Sequence, residues 1–227
     1  MKKTITIFFI ICNLITFGQH NFGLKINGGV SKIDNTTNIS NGTVDIQFAP
    51  SVQMGIFYNF DFTKKSNLNI ELLFNQIEGK EITEFDFTDN YGNVTGKATI
   101  DFNKHLSYIS LPILYGFKIK RFKIKVGFQL SFLIANSGNS KTMILNNGEY
   151  STIEDEYDKL YIDTYDYGSV VGFSYEINKK IIIGGNFYYG LNNILENENY
   201  NLKWKNQQIT IGLKYILYQI NNNETNE

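Results

Sequence analysis

Apolar and polar side chains alternate along a stretch in the middle of the chain. Between Phe122 and Ile134, seven apolar residues occupy every second position, and the intervening residues are polar or glycine apart from Leu133. Because successive side chains of a β-strand point to opposite faces, this pattern predicts a strand with one continuous apolar face.

The same alternation recurs in seven other segments separated by residues typical of turns. They are 23–31, 51–62, 67–75, 108–119, 167–177, 181–190 and 209–217. Opposite the apolar residues stand Gly, Ser and Asn, whereas the outer face of a soluble sandwich would be richer in Lys, Glu and Thr. Each of the eight predicted strands is about 9 to 14 residues long, which suffices to cross a bilayer when tilted.

An even number of such strands favours a closed barrel in a membrane. Small residues on the inner face allow a narrow barrel to close around its larger side chains. We therefore predict an all-β fold, an eight-stranded antiparallel up-and-down transmembrane β-barrel over residues 19–220. A soluble barrel or sandwich remains the alternative, in which the apolar faces would meet a second layer of the chain.

The two ends of the sequence lie outside this barrel. Residues 1–18 combine Lys2 and Lys3 with an apolar stretch and small residues at Thr16 and Gly18, which predicts a signal peptide cleaved before Gln19. A membrane anchor is the alternative for this segment. Cys12 is the only cysteine and would leave with the peptide, so the mature chain has no thiol chemistry. Residues 221–227 form a polar tail.

Short and long connections alternate along the predicted barrel. The short ones are 63–66, 119–121 and 178–180, and the long ones are 34–49, 79–100, 136–161 and 192–203. Outer-membrane barrels place short turns in the periplasm and long loops outside, so both termini should be periplasmic. Aromatic girdles are expected at both rims, with Tyr58, Phe60, Phe62, Phe122 and Tyr175 near the short turns, and Phe132, Phe187, Tyr189 and Trp204 near the long loops.

Several motifs resemble the PorT-like outer-membrane β-barrel family, a group of porin-family barrel-domain proteins. The similar stretches are GLKINGGVS, LSYISLPILYGFKI with Tyr108 and Pro112, the Gly-rich hairpin ending at residues 188–194, and QITIGLKYIL. The resemblance implies an outer-membrane barrel of a bacterium with two membranes. One family member is tied to protein secretion, but fold does not fix function. The polar tail after Tyr218 departs from the aromatic ending of many barrels.

Eight charged residues should point into the lumen by this register. They are Lys25, Asp61, Glu71, Lys118, Lys123, Lys125, Glu176 and Lys214. Since an eight-stranded barrel is just filled by its side chains, and buried charges need partners, we interpret them as a charge network that fills the lumen. The alternative is a narrow pore for small solutes that the same charges would tune.

Catalytic, metal and cofactor sites find little support. His20 and His105 should lie at opposite rims, Asp101 with His105 is a pairing common by chance, and the acidic loops match no calcium-loop spacing. Loss of Lys2 and Lys3 leaves 19 basic and 22 acidic residues, a net charge of −3, which argues against nucleic-acid binding.

We expect a monomer in outer-membrane lipid, with no cofactor, that meets a periplasmic or surface protein. A solute pore and an outer-membrane enzyme are the second and third alternatives.

Overall fold

The computed structural model describes residues 19–35, 42–88, 91, 94–146, 148–195 and 203–220. They form nine antiparallel β-strands and, in this described part, no helix that is both long and apolar enough to span a membrane. The strands are β1 (Gln19–Asn35), β2 (Gly42–Asp61), β3 (Ser66–Thr88), β4 (Val94–Ile119), β5 (Phe122–Asn146), β6 (Glu149–Tyr157), β7 (Tyr165–Glu176), β8 (Ile181–Gly190) and β9 (Trp204–Ile220).

Eight of these strands close into a ring. Strands β1 to β5 pair in chain order, β5 also pairs with β7, β7 to β9 again pair in chain order, and β9 pairs with β1. These eight are the strands that the alternation predicts, so the up-and-down barrel is confirmed. The wall is uneven in height, because β3, β4 and β5 have 23 to 26 residues whereas β7 and β8 have 12 and 10.

The alternation also divides outside from inside as predicted. On β5 the outward Phe128 is 64% exposed, while the inward Lys125 and Gln129 are 4% and 2% exposed. Outward apolar side chains form a band around the whole ring, the apolar band. Phe60 is on its outward side, yet the rings of His20 and Phe62 cover it at centroid distances of 4.9 and 4.7 Å.

The prediction of long irregular loops at one end was wrong for most of their length. The β3–β4 hairpin continues as paired strand to Thr88 and Val94, and β5 continues to Asn146, where it pairs with the ninth strand, β6. All nine side chains of β6 are exposed. Water contacts both faces of β6, so its sequence lacks the apolar alternation that reveals the ring strands. The projecting sheet is defined here as β6 together with the parts of β3, β4 and β5 beyond the apolar band.

Strands β6 and β7 pair with the same edge of β5, β7 within the ring and β6 beyond it. Both run antiparallel to β5, with β6 along Gly138–Asn146 and β7 along Phe122–Phe132. Between them the chain turns inward across the lumen, held where the Leu160 amide donates to the Asn136 side-chain oxygen at 2.5 Å and where Ile162 bridges Leu195.

This inward segment forms an apolar plug at the end of the barrel with the projecting sheet. Leu160 and Ile162 join Ile194 and residues of β1, β3 and β4 in the largest cluster of buried apolar side chains. Leu160 and Ile194 fall within the predicted long connections 136–161 and 192–203, so their burial was not predicted. The plug is defined by Ile33, Ile77, Leu106, Tyr108, Leu160, Ile162 and Ile194.

The prediction that Trp204 belongs to the outer aromatic girdle was wrong. Its ring packs against the plug and stands over the Lys104 ammonium at 3.9 Å, so it faces the lumen and does not belong to an outer aromatic girdle. The register explains this orientation, because Trp204 has the same inward parity on β9 as the buried Asn206 and Gln208.

Candidate functional site

The eight charged residues predicted for the lumen lie on the inner face and divide into two groups. The rim cluster lies at the end with the short turns and contains two acids and two bases. Lys118 and Lys123 approach the Glu176 carboxylate at 2.8 and 3.0 Å, and Lys123 lies 3.9 Å from Asp61. Its charges balance, and it lines an open vestibule of about 200 Å³ at this mouth of the barrel.

The inner cluster lies deeper in the lumen and its charges do not balance. Glu71 is fully enclosed and accepts from Lys25 at 2.5 Å and from Lys214 at 2.6 Å. Lys214 also donates to Asn69 at 2.8 Å and stands over the Phe57 ring at 4.8 Å. Lys125 is equally buried and interacts electrostatically with Glu71, but in the described part of the chain no carboxylate lies within 4.0 Å of its Nζ atom. Three lysine side chains therefore surround the Glu71 carboxylate.

Amide and hydroxyl side chains fill the middle of the lumen. Gln53 donates to Gln208 at 2.7 Å, and Gln208 donates to Asn75 at 2.8 Å. From there hydrogen bonds continue across the barrel, and the chain of contacts passes in order through Gln53, Gln208, Asn75, Ser110, Ser131 and Gln129. The alternation placed five of these six residues on the inner face and missed Gln208. Their mutual bonding required the register of the strands.

Two small cavities lie between the vestibule and the plug. Each has a volume of about 10 Å³ and lies beside Lys25 and Asn186. Each is the size that one water molecule needs.

A second set of buried polar side chains was not predicted from the sequence. Beneath the plug, Asn206 donates to the Asp166 carboxylate at 2.7 Å and to the Tyr108 hydroxyl at 3.2 Å. Above them Lys104 pairs with Glu81 at 2.5 Å. Asp166 and Lys104 stand at the boundaries of predicted strands and loops, so no alternation indicated that they face inward.

The two residues considered for catalysis, Asp101 and His105, each contact a different charged residue. Asp101 pairs with Lys80 at 3.0 Å, and the His105 ring lies 3.5 Å from Glu78, so the proposed Asp101–His105 dyad is not assembled. The described part of the chain contains no group of three His, Cys, Asp or Glu side chains placed to hold a metal ion. On β6 the Glu154 pKa is lowered, first by the hydrogen bond from Lys141 and then by the attraction of its charge.

With the closed ring and its filled lumen established, comparison with known proteins decides the family. The model of the family described as outer membrane protein beta-barrel domain matches residues 17–196. The chain belongs to this family. It is therefore an outer-membrane β-barrel protein.

Solved structures of this outer-membrane barrel's remote neighbours come from several bacteria. Neisserial surface protein A is 12% identical over 87% of this chain and 98% of its own, with a TM-score of 0.42. Ail, the attachment invasion locus protein of Yersinia pestis, is 9% identical over 88% and 99%, with a TM-score of 0.34. The outer membrane protease OmpT of Escherichia coli is 10% identical over 88% and 94%, with a TM-score of 0.39. These scores are too low to bear on function, and no curated protein sequence matches the chain.

Proposed function

We propose that this outer-membrane barrel is a sealed, non-catalytic membrane anchor that presents its projecting sheet to a protein partner. The observation that carries the proposal is the contrast between the two parts of the barrel. Polar side chains bonded to one another cross the lumen between the vestibule and the plug, and two cavities there measure about 10 Å³ each, whereas β5 and β6 extend well past the apolar band with a fully exposed strand.

The edge of β6 is the surface best suited to a partner. In the described residues β6 pairs with β5 alone, so the backbone amides and carbonyls of its other edge have no strand partner there. Such an edge can accept an extended segment of another protein. Glu149, Glu154, Asp155 and Glu156 make it acidic, which discourages pairing between copies of β6 and favours a basic segment.

The proposal includes an orientation. Both termini and the short turns are periplasmic, and the projecting sheet is extracellular, because outer-membrane barrels place their longer connections outside. The protein is a monomer in outer-membrane lipid and uses neither a cofactor nor nucleic acid. We further propose that it is a PorT-like protein, because of the motifs around Tyr108, Pro112 and residues 188–194. A role in secretion would involve a second partner, at the periplasmic rim.

Conductance in planar bilayers tests the sealed lumen against the alternative of a solute pore. The refolded protein should insert without producing a steady open level above the leak of the bare membrane. A reproducible open state with ion selectivity would favour the pore and contradict the proposal.

Photo-cross-linking in native membranes tests the partner surface. A cross-linker attached at a single cysteine replacing Ser151 on β6 should capture a defined protein, whereas one at Phe128 in the apolar band should capture lipid only. Capture of the same protein at both positions, or at neither, would contradict the assignment of the projecting sheet as the binding surface.

A further inference from the structure

The inner cluster contains more positive charge than its own carboxylate can neutralise. Lys25 and Lys214 share Glu71, and Lys125 stands in the same group without a carboxylate within 4.0 Å in the described chain. The three lysines are between 4% and 8% exposed. A buried charge without a partner is expensive, because the protein interior replaces little of the hydration that it loses.

A cavity lies among these lysines. Its volume is about 10 Å³, and Lys25, Lys125, Lys214, Asn27, Ser174 and Asn186 contribute to its lining. Ammonium groups can only donate hydrogen bonds. Water in this cavity could donate to the side-chain oxygens of Asn27, Ser174 or Asn186, but it carries no charge, whereas an anion accepts from each ammonium group and offsets their excess positive charge.

We propose that this cavity binds one small monovalent anion, such as chloride, held by the Lys25, Lys125 and Lys214 ammonium groups. Its size excludes polyatomic anions such as phosphate or sulfate. The rim cluster carries no such site, because its two lysines are matched by Asp61 and Glu176. This inference concerns the interior of the barrel and is independent of the partner proposed for the projecting sheet.

Bromide identifies the site directly. Crystals of the refolded wild-type protein grown in sodium bromide should show one anomalous peak in the cavity, within hydrogen-bonding reach of Lys125 Nζ. Crystals grown in sodium gluconate should show none. A cavity that is empty or holds only water in bromide would overturn the proposal, and this experiment requires no variant to fold.

The anion should also stabilise the folded barrel. If unfolding releases one bound halide, the unfolding equilibrium constant in lipid vesicles falls about tenfold for each tenfold rise in chloride once chloride is well above its Kd. Sodium gluconate keeps the ionic strength constant in this titration. Lys125→Gln should abolish the chloride dependence, whereas the exposed control Lys97→Gln should retain it.

The outcomes separate the proposal from the alternatives. A chloride dependence that persists in Lys125→Gln would mean that halide acts elsewhere on the protein, and its absence from the wild type would mean that Lys125 is accommodated without an anion. Either result would overturn the proposal. Failure to capture a protein partner through β6 would contradict the proposed function but would not affect the anion site.

Discussion

At the scale of single residues, Glu71 is the side chain on which the inner cluster depends. Among the residues that the structure describes, it is the one carboxylate paired with Lys25 and Lys214, and it is essentially inaccessible to solvent. Replacing both partners of a buried pair by apolar groups is often tolerated, but removing one partner leaves an uncompensated charge behind. The acid should therefore contribute far more to stability than any pair on the projecting sheet.

We predict that Glu71→Gln lowers the free energy of unfolding by about 3 to 5 kcal/mol, the usual cost of breaking a buried ion pair on one side. Urea denaturation in lipid vesicles measures this change. The matched control is Glu154→Gln, which removes an exposed pair with Lys141 and should leave the unfolding free energy unchanged. Equal effects of the two substitutions would mean that the lumen around Glu71 is hydrated.

Glycine has a specific role where β1 and β9 meet. A Cβ atom at Gly212 would overlap the carbonyl oxygen of Ile26 on the neighbouring strand, whereas one at Gly28 would meet nothing within 4 Å. Both residues lie at the same seam, because Asn27 pairs with Gly212 and Gly28 pairs with Ile211. The seam therefore offers a substitution and its own control.

Gly212→Ala should destabilise the barrel by about 1 to 3 kcal/mol, the range for inserting a methyl group into a packed site. Gly28→Ala should have little effect. The folded fraction of each variant can be followed by the mobility difference between folded and heat-denatured protein on cold detergent gels. Normal folding of Gly212→Ala would show that the two strands can separate at this point without cost.

At the scale of elements, the plug is the feature that the local sequence did not reveal. Residues 158–164 leave the line of β6 and β7 because Leu160 and Ile162 become buried and Asn136 satisfies the Leu160 amide. Two apolar residues in a polar connection carry no periodic signal. Their burial depends on Ile33, Ile77 and Leu106 on other strands, which alternation alone cannot bring together.

We predict that the plug protects the Lys159–Leu160 peptide bond from trypsin. Asn136→Ala removes the acceptor of the Leu160 amide and should increase cleavage after Lys159, measured by mass spectrometry of timed digests. Asn139→Ala, which removes an exposed side-chain contact with Asn103, is the control. Rapid cleavage of the wild type at this bond would show that the segment leaves the lumen readily.

The ring strands and the projecting sheet differ in how far they could be predicted. Alternation identified all eight ring strands, because the outward side chains of each are apolar and the inward ones are mostly polar. It placed Lys25, Glu71, Lys125 and Lys214 inside for the same reason. It missed β6, since a strand with water on both sides gains nothing from alternating apolar residues, and it assigned the outer parts of β3 to β5 to long connections. Asp166 and Gln208 were missed because each lies one residue before the predicted strand.

At the scale of the whole molecule, the proposed orientation is open to test by labelling. A membrane-impermeant maleimide applied to intact cells should modify a cysteine replacing Tyr150 on β6, where the side chain is 80% exposed, and not one replacing Lys179 in a short turn. Cys12 lies outside the described residues, in the predicted signal peptide, so the remainder of the chain offers no competing thiol. The reverse pattern of labelling would place the projecting sheet in the periplasm.

The central claim is that lipid hydrocarbon, and no second layer of protein, covers the apolar band. The most direct measurement places spin labels at consecutive positions 124–131 of β5 in lipid vesicles and compares their accessibility to oxygen, which partitions into hydrocarbon, with that to a water-soluble nickel chelate. Oxygen accessibility should be high at the even positions and low at the odd ones. Uniformly low oxygen accessibility, or even positions that the nickel chelate reaches more readily than oxygen, would contradict the account.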